Sequence, residues 1–337
     1  MKISTLLYNT LYAVTFCLGA INITHAKPLQ DYVPVLDQVK NNAFQIDQKK
    51  GYLVKKVKPH VYVITDGIWQ SAFITTGKGV ILLDAPQSFG QHITQAVAET
   101  TDEPIKMLVY THSHVDHIGG SQHLKNIPGL KIIAHQAVAD FLKEKNDPRR
   151  LLPTQTYSGD HVINMGSETI HLDHHGNYHS TESDTFVYLP QRRFLMVIDS
   201  LAPGYVPFRD FDLTHNFHEY LKMFDAILDY DFDVFVGGHL TQIGTAKDVR
   251  TTQAYVQDVY QTVKRMHSQA NQFEIMSAAA KKIGWDNKFA LFNVFLEHIV
   301  EESAREIEAR WIDKLAGVDV WAKSHARTAL IYVRWDD

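Results

Sequence analysis

Two apolar runs constrain this chain more than any other feature. Residues 80–83 read Val-Ile-Leu-Leu and stop at Asp84; residues 105–110 are apolar apart from Lys106 and lead into Thr111-His112-Ser113-His114. A strand without a polar face cannot lie on a surface and must be covered on both sides. β-rich stretches at 52–57, 60–65 and 71–76 precede these runs, and further strand signals fall at 130–134, 162–165, 168–172, 185–189, 194–198 and 233–236. Helical patterns lie between them at 91–100, 136–145 and 217–229. Beyond residue 245 the sequence favours helix, over 246–268, 274–283 and 290–315. Strands alternating with helices and followed by a helical tail predict a layered α/β or α+β domain rather than a bundle or an all-β sandwich. The chain holds no internal repeat. Trp285, Trp311, Trp321 and Trp335 in the tail read as core.

The N-terminus carries one early charge, Lys2, then an apolar run over residues 3–23, then Thr24-His25-Ala26. That order predicts a secretory signal peptide at 1–26 and a periplasmic or secreted protein with no membrane contact after cleavage, with a retained membrane anchor as the alternative reading. Residues 27–51 read as an N-terminal extension. The only cysteine is Cys17, inside the apolar run. A mature chain then has no disulfide and no thiolate, so any metal must be held by imidazole and carboxylate. The net charge of −5 argues against a nucleic-acid partner and leaves a small-molecule substrate.

Histidine is abundant, 19 residues, and one cluster stands out: His112-Ser113-His114-Val115-Asp116-His117. In extended backbone residues i and i+2 project to one side, so His112 and His114 can converge on one ion. A turn then directs Asp116 and His117 to a neighbouring position, and Gly119-Gly120 permits close backbone packing. Such a site needs further ligands, and His179, Asp199 and His239 stand at later strand edges. His171, His174 and His175 are close enough in sequence to compete with His179, and Asp199 could instead be a salt-bridged structural carboxylate.

This ordered set resembles the metallo-β-lactamase superfamily of dinuclear metallohydrolases, over roughly residues 52–245. Asp84 matches its first motif aspartate, and His179-Ser180 with residues 184–190 is similar to its third motif. The resemblance implies an αβ/βα sandwich of two mixed sheets with helices outside, here with a helical C-terminal region, 246–337. It implies that His112, His114 and His179 hold a first metal, Asp116, His117 and His239 a second, and that Asp199 bridges them. Two zinc ions are implied, with iron or manganese as competitors. Asp116 would also orient the attacking water, and Asp184 would fix a ligand histidine through its other ring nitrogen.

The expected activity is zinc-dependent hydrolysis of an ester, lactone, amide or related bond by a metal-bridging hydroxide. Branches with a cysteine ligand are excluded by the position of Cys17. The cysteine-free class acting on β-lactams remains an alternative. So does an iron-dependent oxidoreductase of the same fold, which needs only two histidines and a carboxylate, such as His112, His179 and Asp199. A third is a metal-binding protein without turnover. Residues 198–208 resemble secreted superfamily members of unsettled substrate.

Overall fold

The computed structural model describes residues 32–180, 183–240 and 242–335. The chain divides into two units, 1–33 and 34–337. Only Tyr32 and Val33 of the first are described, so the signal-peptide reading lies outside the described residues. The second unit contains two sheets. One has seven strands in the order β1 (Leu53–Lys58), β2 (Val61–Thr65), β3 (Gln70–Thr75), β4 (Val80–Leu83), β5 (Ile105–Val109), β6 (Lys131–His135), β7 (Gln155–Tyr157). Pairing is antiparallel from β1 to β4 and parallel from β4 to β7. The other has five, ordered β12-β11-β10-β9-β8: β8 (His161–Met165), β9 (Glu168–Gly176), β10 (Asp184–Leu189), β11 (Phe194–Met196) and β12 (Val234–Val236).

The fully apolar β4 shows why the layers form. All four of its side chains are buried. Ile81 and Leu83 point into the core between the sheets, with Leu172, Val187 and Met196 of the five-stranded sheet. Val80 and Leu82 point the other way, against α2 (Ile93–Ala98) and α4 (Gln136–Lys145). Period-two alternation in a strand covered on both sides gives this division. The far face of the five-stranded sheet is covered by α6 (Phe217–Leu228), α7 (Ala246–Gln269), α9 (Lys288–Trp311) and α10 (Val318–Trp335). Phe186, Leu195 and Phe235 from the sheet share one apolar cluster with Tyr220, Tyr255, Phe295 and Leu330 from the helices. The expected α+β sandwich with a helical C-terminal region is therefore present.

The tail differs from expectation in two respects. The run read as one helix over 290–315 ends at Trp311, and Gly317, at φ 80°, starts a separate α10. Of the tryptophans expected in the core, Trp311 is buried, but Trp285 and Trp335 are exposed on the surface.

α10 carries a fully buried histidine, His325. Tyr255 donates its hydroxyl to Nδ1 at 2.8 Å, and Nε2–H donates to the Phe208 carbonyl at 3.0 Å. Burial pulls its pKa from 6.5 to about 4, against smaller upward pulls from Phe208 and Asp210. The unfolded imidazole binds a proton below about 6.5, while the folded one refuses it until about 4. Between these values the unfolded state holds more protons, so stability falls as pH falls. At pH 5 the loss from this residue is about 2 kcal/mol. Denaturant midpoints at pH 7 and pH 5 should therefore differ more for the unmodified protein than for His325→Gln. Equal pH dependence in the two would disprove this assignment.

Candidate metal centre

The site lies where the strand ends of both sheets meet. Asp84 follows β4 at φ 62° and is fully buried. It accepts the Thr111 backbone N–H at 2.8 Å and the Thr111 hydroxyl at 2.7 Å. The Thr111 oxygen, 3.1 Å from His112 Nδ1, then accepts the proton on that nitrogen. This leaves the His112 Nε2 lone pair directed inward. A single helical turn, α3 (Val115–Ile118), swings Asp116 and His117 to a neighbouring position. The turn packs tightly because Gly120 has no side chain: a Cβ there would sit 2.3 Å from the Pro86 carbonyl oxygen. At the other edge Gly238, at φ 93°, leads into His239, and its Gly238 carbonyl accepts the Gln70 N–H at 2.7 Å.

All seven sequence-predicted residues come together, in two groups. One contains His112, His114, His179 and Asp199; the other contains Asp116, His117, Asp199 and His239. Within each group one candidate ligand atom per residue lies within 4.8 Å of the others. Asp199 is the member common to both. Its Oδ2 lies 3.0 Å from His179 Nε2 and 3.4 Å from His112 Nε2. Its Oδ1 lies 2.9 Å from His239 Nε2 and 3.0 Å from His117 Nε2. Asp116 Oδ2 is 3.4 Å from His117 Nε2 and accepts the indole N–H of Trp69 at 3.3 Å.

The competing histidines are engaged elsewhere. His174 stacks on His135 at 3.9 Å, and His175 stacks on Phe186 and reaches the Tyr230 hydroxyl at 3.1 Å. His171 lies along β9, edge-on to Tyr188, and belongs to neither group. His215 and His218 are exposed.

Asp184 does not play its expected part. Its carboxylate accepts the backbone N–H of His179 at 2.8 Å and of Ser180 at 3.0 Å, so it shapes the loop. The His179 ring is held instead by Asp212, whose carbonyl accepts Nδ1–H at 2.5 Å. Asp212 sits in α5 (Arg209–Leu213), where residues 210–213 all adopt left-handed φ between 53° and 57°. Each such residue costs roughly 1–2 kcal/mol outside glycine, so surrounding contacts must impose the turn. Neither Asp212 nor Trp69 was legible in the sequence: a left-handed run of ordinary residues has no compositional mark, and Trp69 lies in an unremarkable strand approach.

The electrostatics suit cations. Burial pushes the Asp199 carboxyl up, but His117, His179 and His239 outweigh it and hold it well below the usual range. Burial lowers His179 and His239, yet Asp199 more than compensates and holds each at about 9. Burial and the adjacent imidazoles His112 and His179 drive His114 down to about 3. Imidazoles at 9 and at 3 around one buried carboxylate form a set whose lone pairs compete for protons. The buried atoms His112 Nε2 and Asp199 Oδ1 have no hydrogen-bond partner, although both lie among nitrogens or oxygens at contact distance. Unsatisfied, converging lone pairs of imidazole and carboxylate fit a divalent cation.

Two histidine-aspartate groups sharing a carboxylate at the edge of a two-sheet sandwich define a metal-binding fold of the metallohydrolase and oxidoreductase type. The chain belongs to the metallo-beta-lactamase superfamily, which it matches over residues 65–239. It is 28% identical over 194 residues to the alpha subunit of 2,4-dinitroanisole O-demethylase from Nocardioides sp. strain JS1661, covering 56% of this chain and 57% of that one. It is 24% identical over 153 residues to a metallo-beta-lactamase type 2 from Elizabethkingia meningoseptica, covering 42% and 59%. The chain thus spans under two thirds of these curated relatives. The metallo-beta-lactamase from Pontibacter korlensis superposes with a TM-score of 0.54 at 18% identity, over 60% of this chain and 97% of that one, and shares the fold.

Proposed function

We propose that this protein is a metal-dependent hydrolase that cleaves an ester, lactone, amide or related bond in a small, largely apolar substrate. The observation that carries this reading is the position of Asp199, whose two oxygens face the two separate histidine groups. His112, His114 and His179 would hold one ion, Asp116, His117 and His239 the other, and Asp199 both; zinc suits this donor set. A pair of such cations supplies an ionised water near neutral pH and a Lewis acid for a carbonyl oxygen.

The residues do the rest. Asp116 is the exposed carboxylate of the set, with 42% of its side chain open against 4% for Asp199. Burial pushes its pKa up, but His117 and the other imidazoles outweigh this and hold it below the usual range. It is therefore ionised and placed to take a proton from water and release it to a leaving group. Trp69 fixes its orientation through the indole N–H. Ile68 precedes Trp69, and Phe208 and Leu213 lie at the two ends of the turn that holds His179; each is about half exposed. These apolar side chains favour an uncharged substrate face over a polyanion.

The relative named for 2,4-dinitroanisole O-demethylase makes an activated aryl ether a second substrate class. The relatives named as metallo-beta-lactamases keep β-lactams in view. The leader read at residues 1–26 supports an extracytoplasmic location, and no described helix is long and apolar enough to cross a membrane. The test is metal analysis of the purified protein with a panel of esters, lactones, β-lactams, sulfate esters and a nitroanisole. Two zinc per chain and chelator-sensitive turnover of an ester or lactone are expected. One iron per chain with oxygen consumption, or bound metal without turnover on any substrate, would overturn the reading.

A further inference from the structure

The left-handed turn at residues 210–213 has no glycine to relax it, so it persists only because its neighbours impose it. Those neighbours belong mainly to α10. His325 donates Nε2–H to the Phe208 carbonyl at 3.0 Å, at the entry to the turn. The same imidazole stacks on Phe211, inside the turn, at 4.4 Å and 18°. Ser324 accepts the Asp210 N–H at 3.0 Å, and Thr328 donates to the Asp210 carboxylate at 3.3 Å. The opposite side of the turn presents the Asp212 carbonyl to His179 Nδ1. Helix, turn and site histidine thus form one unbroken line of contacts.

We propose that His325 is a positioning residue for His179: through Phe208 and Phe211 it holds the left-handed turn whose Asp212 carbonyl fixes the His179 ring. The C-terminal helix thereby sets the geometry of one histidine group and leaves the other alone. The tautomer of His325 is itself fixed, since Tyr255 donates to Nδ1 and leaves the proton on Nε2 for Phe208. Partners that orient a ligand histidine typically govern metal affinity by about 10- to 100-fold.

The inference rests on the metal reading above, and two measurements keep them separable. The first is the exchange of the His179 Nδ1–H proton, followed by NMR in the metal-free protein. In His325→Leu it should exchange at least about tenfold faster than in the unmodified protein. His325→Gln, which keeps an N–H for Phe208, should restore protection. The second is stepwise zinc affinity by chelator competition, with zinc alone as the probe. His325→Leu should weaken one site by about tenfold or more and spare the other. The surface-side pair Ser324→Ala with Thr328→Val removes the Asp210 contacts without opening the core, and should shift both readouts in the same direction. A variant that loses melting temperature while His179 stays protected and both zinc affinities hold would overturn the proposal. Absence of zinc binding in the unmodified protein would defeat the metal reading, with proton exchange still deciding the role of His325.

Discussion

On the proposed two-ion reading, Asp199→Ala should reduce bound metal toward one ion or none, and lower the proposed hydrolysis by about a hundred- to a thousandfold. The expectation follows from the sharing of a single carboxylate. Oδ2 faces His112 and His179, and Oδ1 faces His117 and His239, so one substitution removes a donor from each group. It also removes the negative charge that holds His179 and His239 near 9. Their pKa values should fall, which marks the variant by histidine titration even without metal. Loss of a preorganised charged group at a reaction centre typically costs 3 kcal/mol or more in barrier, about a hundred- to a thousandfold in rate. Metal content by elemental analysis, with circular dichroism to verify folding, decides the matter. Two ions still bound in Asp199→Ala would remove this residue from the shared position.

Asp116→Asn should behave differently. Its side chain is half open to solvent and hydrogen-bonded to Trp69, and neither core nor loop depends on it. The fold and melting temperature should be retained. Hydrolysis should fall by about a hundred- to ten-thousandfold, the range for loss of a general acid–base. The amide cannot accept a proton, so the acidic limb of the pH–rate profile should disappear with it. Full activity in Asp116→Asn would exclude proton transfer by this residue and leave it at most a metal donor.

Much of the site was legible because its parts announce themselves chemically. Imidazole and carboxylate at the ends of apolar runs cost desolvation unless something compensates, so His112, His114, Asp116 and His117 pointed to a shared partner from sequence alone. Gly237-Gly238 before His239 permits a tight turn because glycine adopts positive φ freely, as Gly238 does at 93°. The failures also have physical causes. Asp184 was read as a ring-holding carboxylate from its position, yet nearby backbone N–H groups captured it first. The real holder is a main-chain carbonyl, which every residue possesses and no composition reveals. β9 ran four residues longer than its apolar pattern, because His174 and His175 stack on neighbouring rings and are covered there. α10, residues 318–335, lies beyond the helical pattern that ends at 315, and Gly317 at φ 80° separates it from α9.

The apolar cluster that joins Phe186 and Phe235 to Phe295 and Leu330 has a consequence for biosynthesis. A ribosome releases the two sheets well before it releases residues 318–335. Until residues 318–335 emerge, part of the aromatic surface over the five-stranded sheet stays uncovered, and the turn that holds His179 lacks its support. Assembly of the centre therefore waits for α10, and a chain truncated before residue 318 should be aggregation-prone.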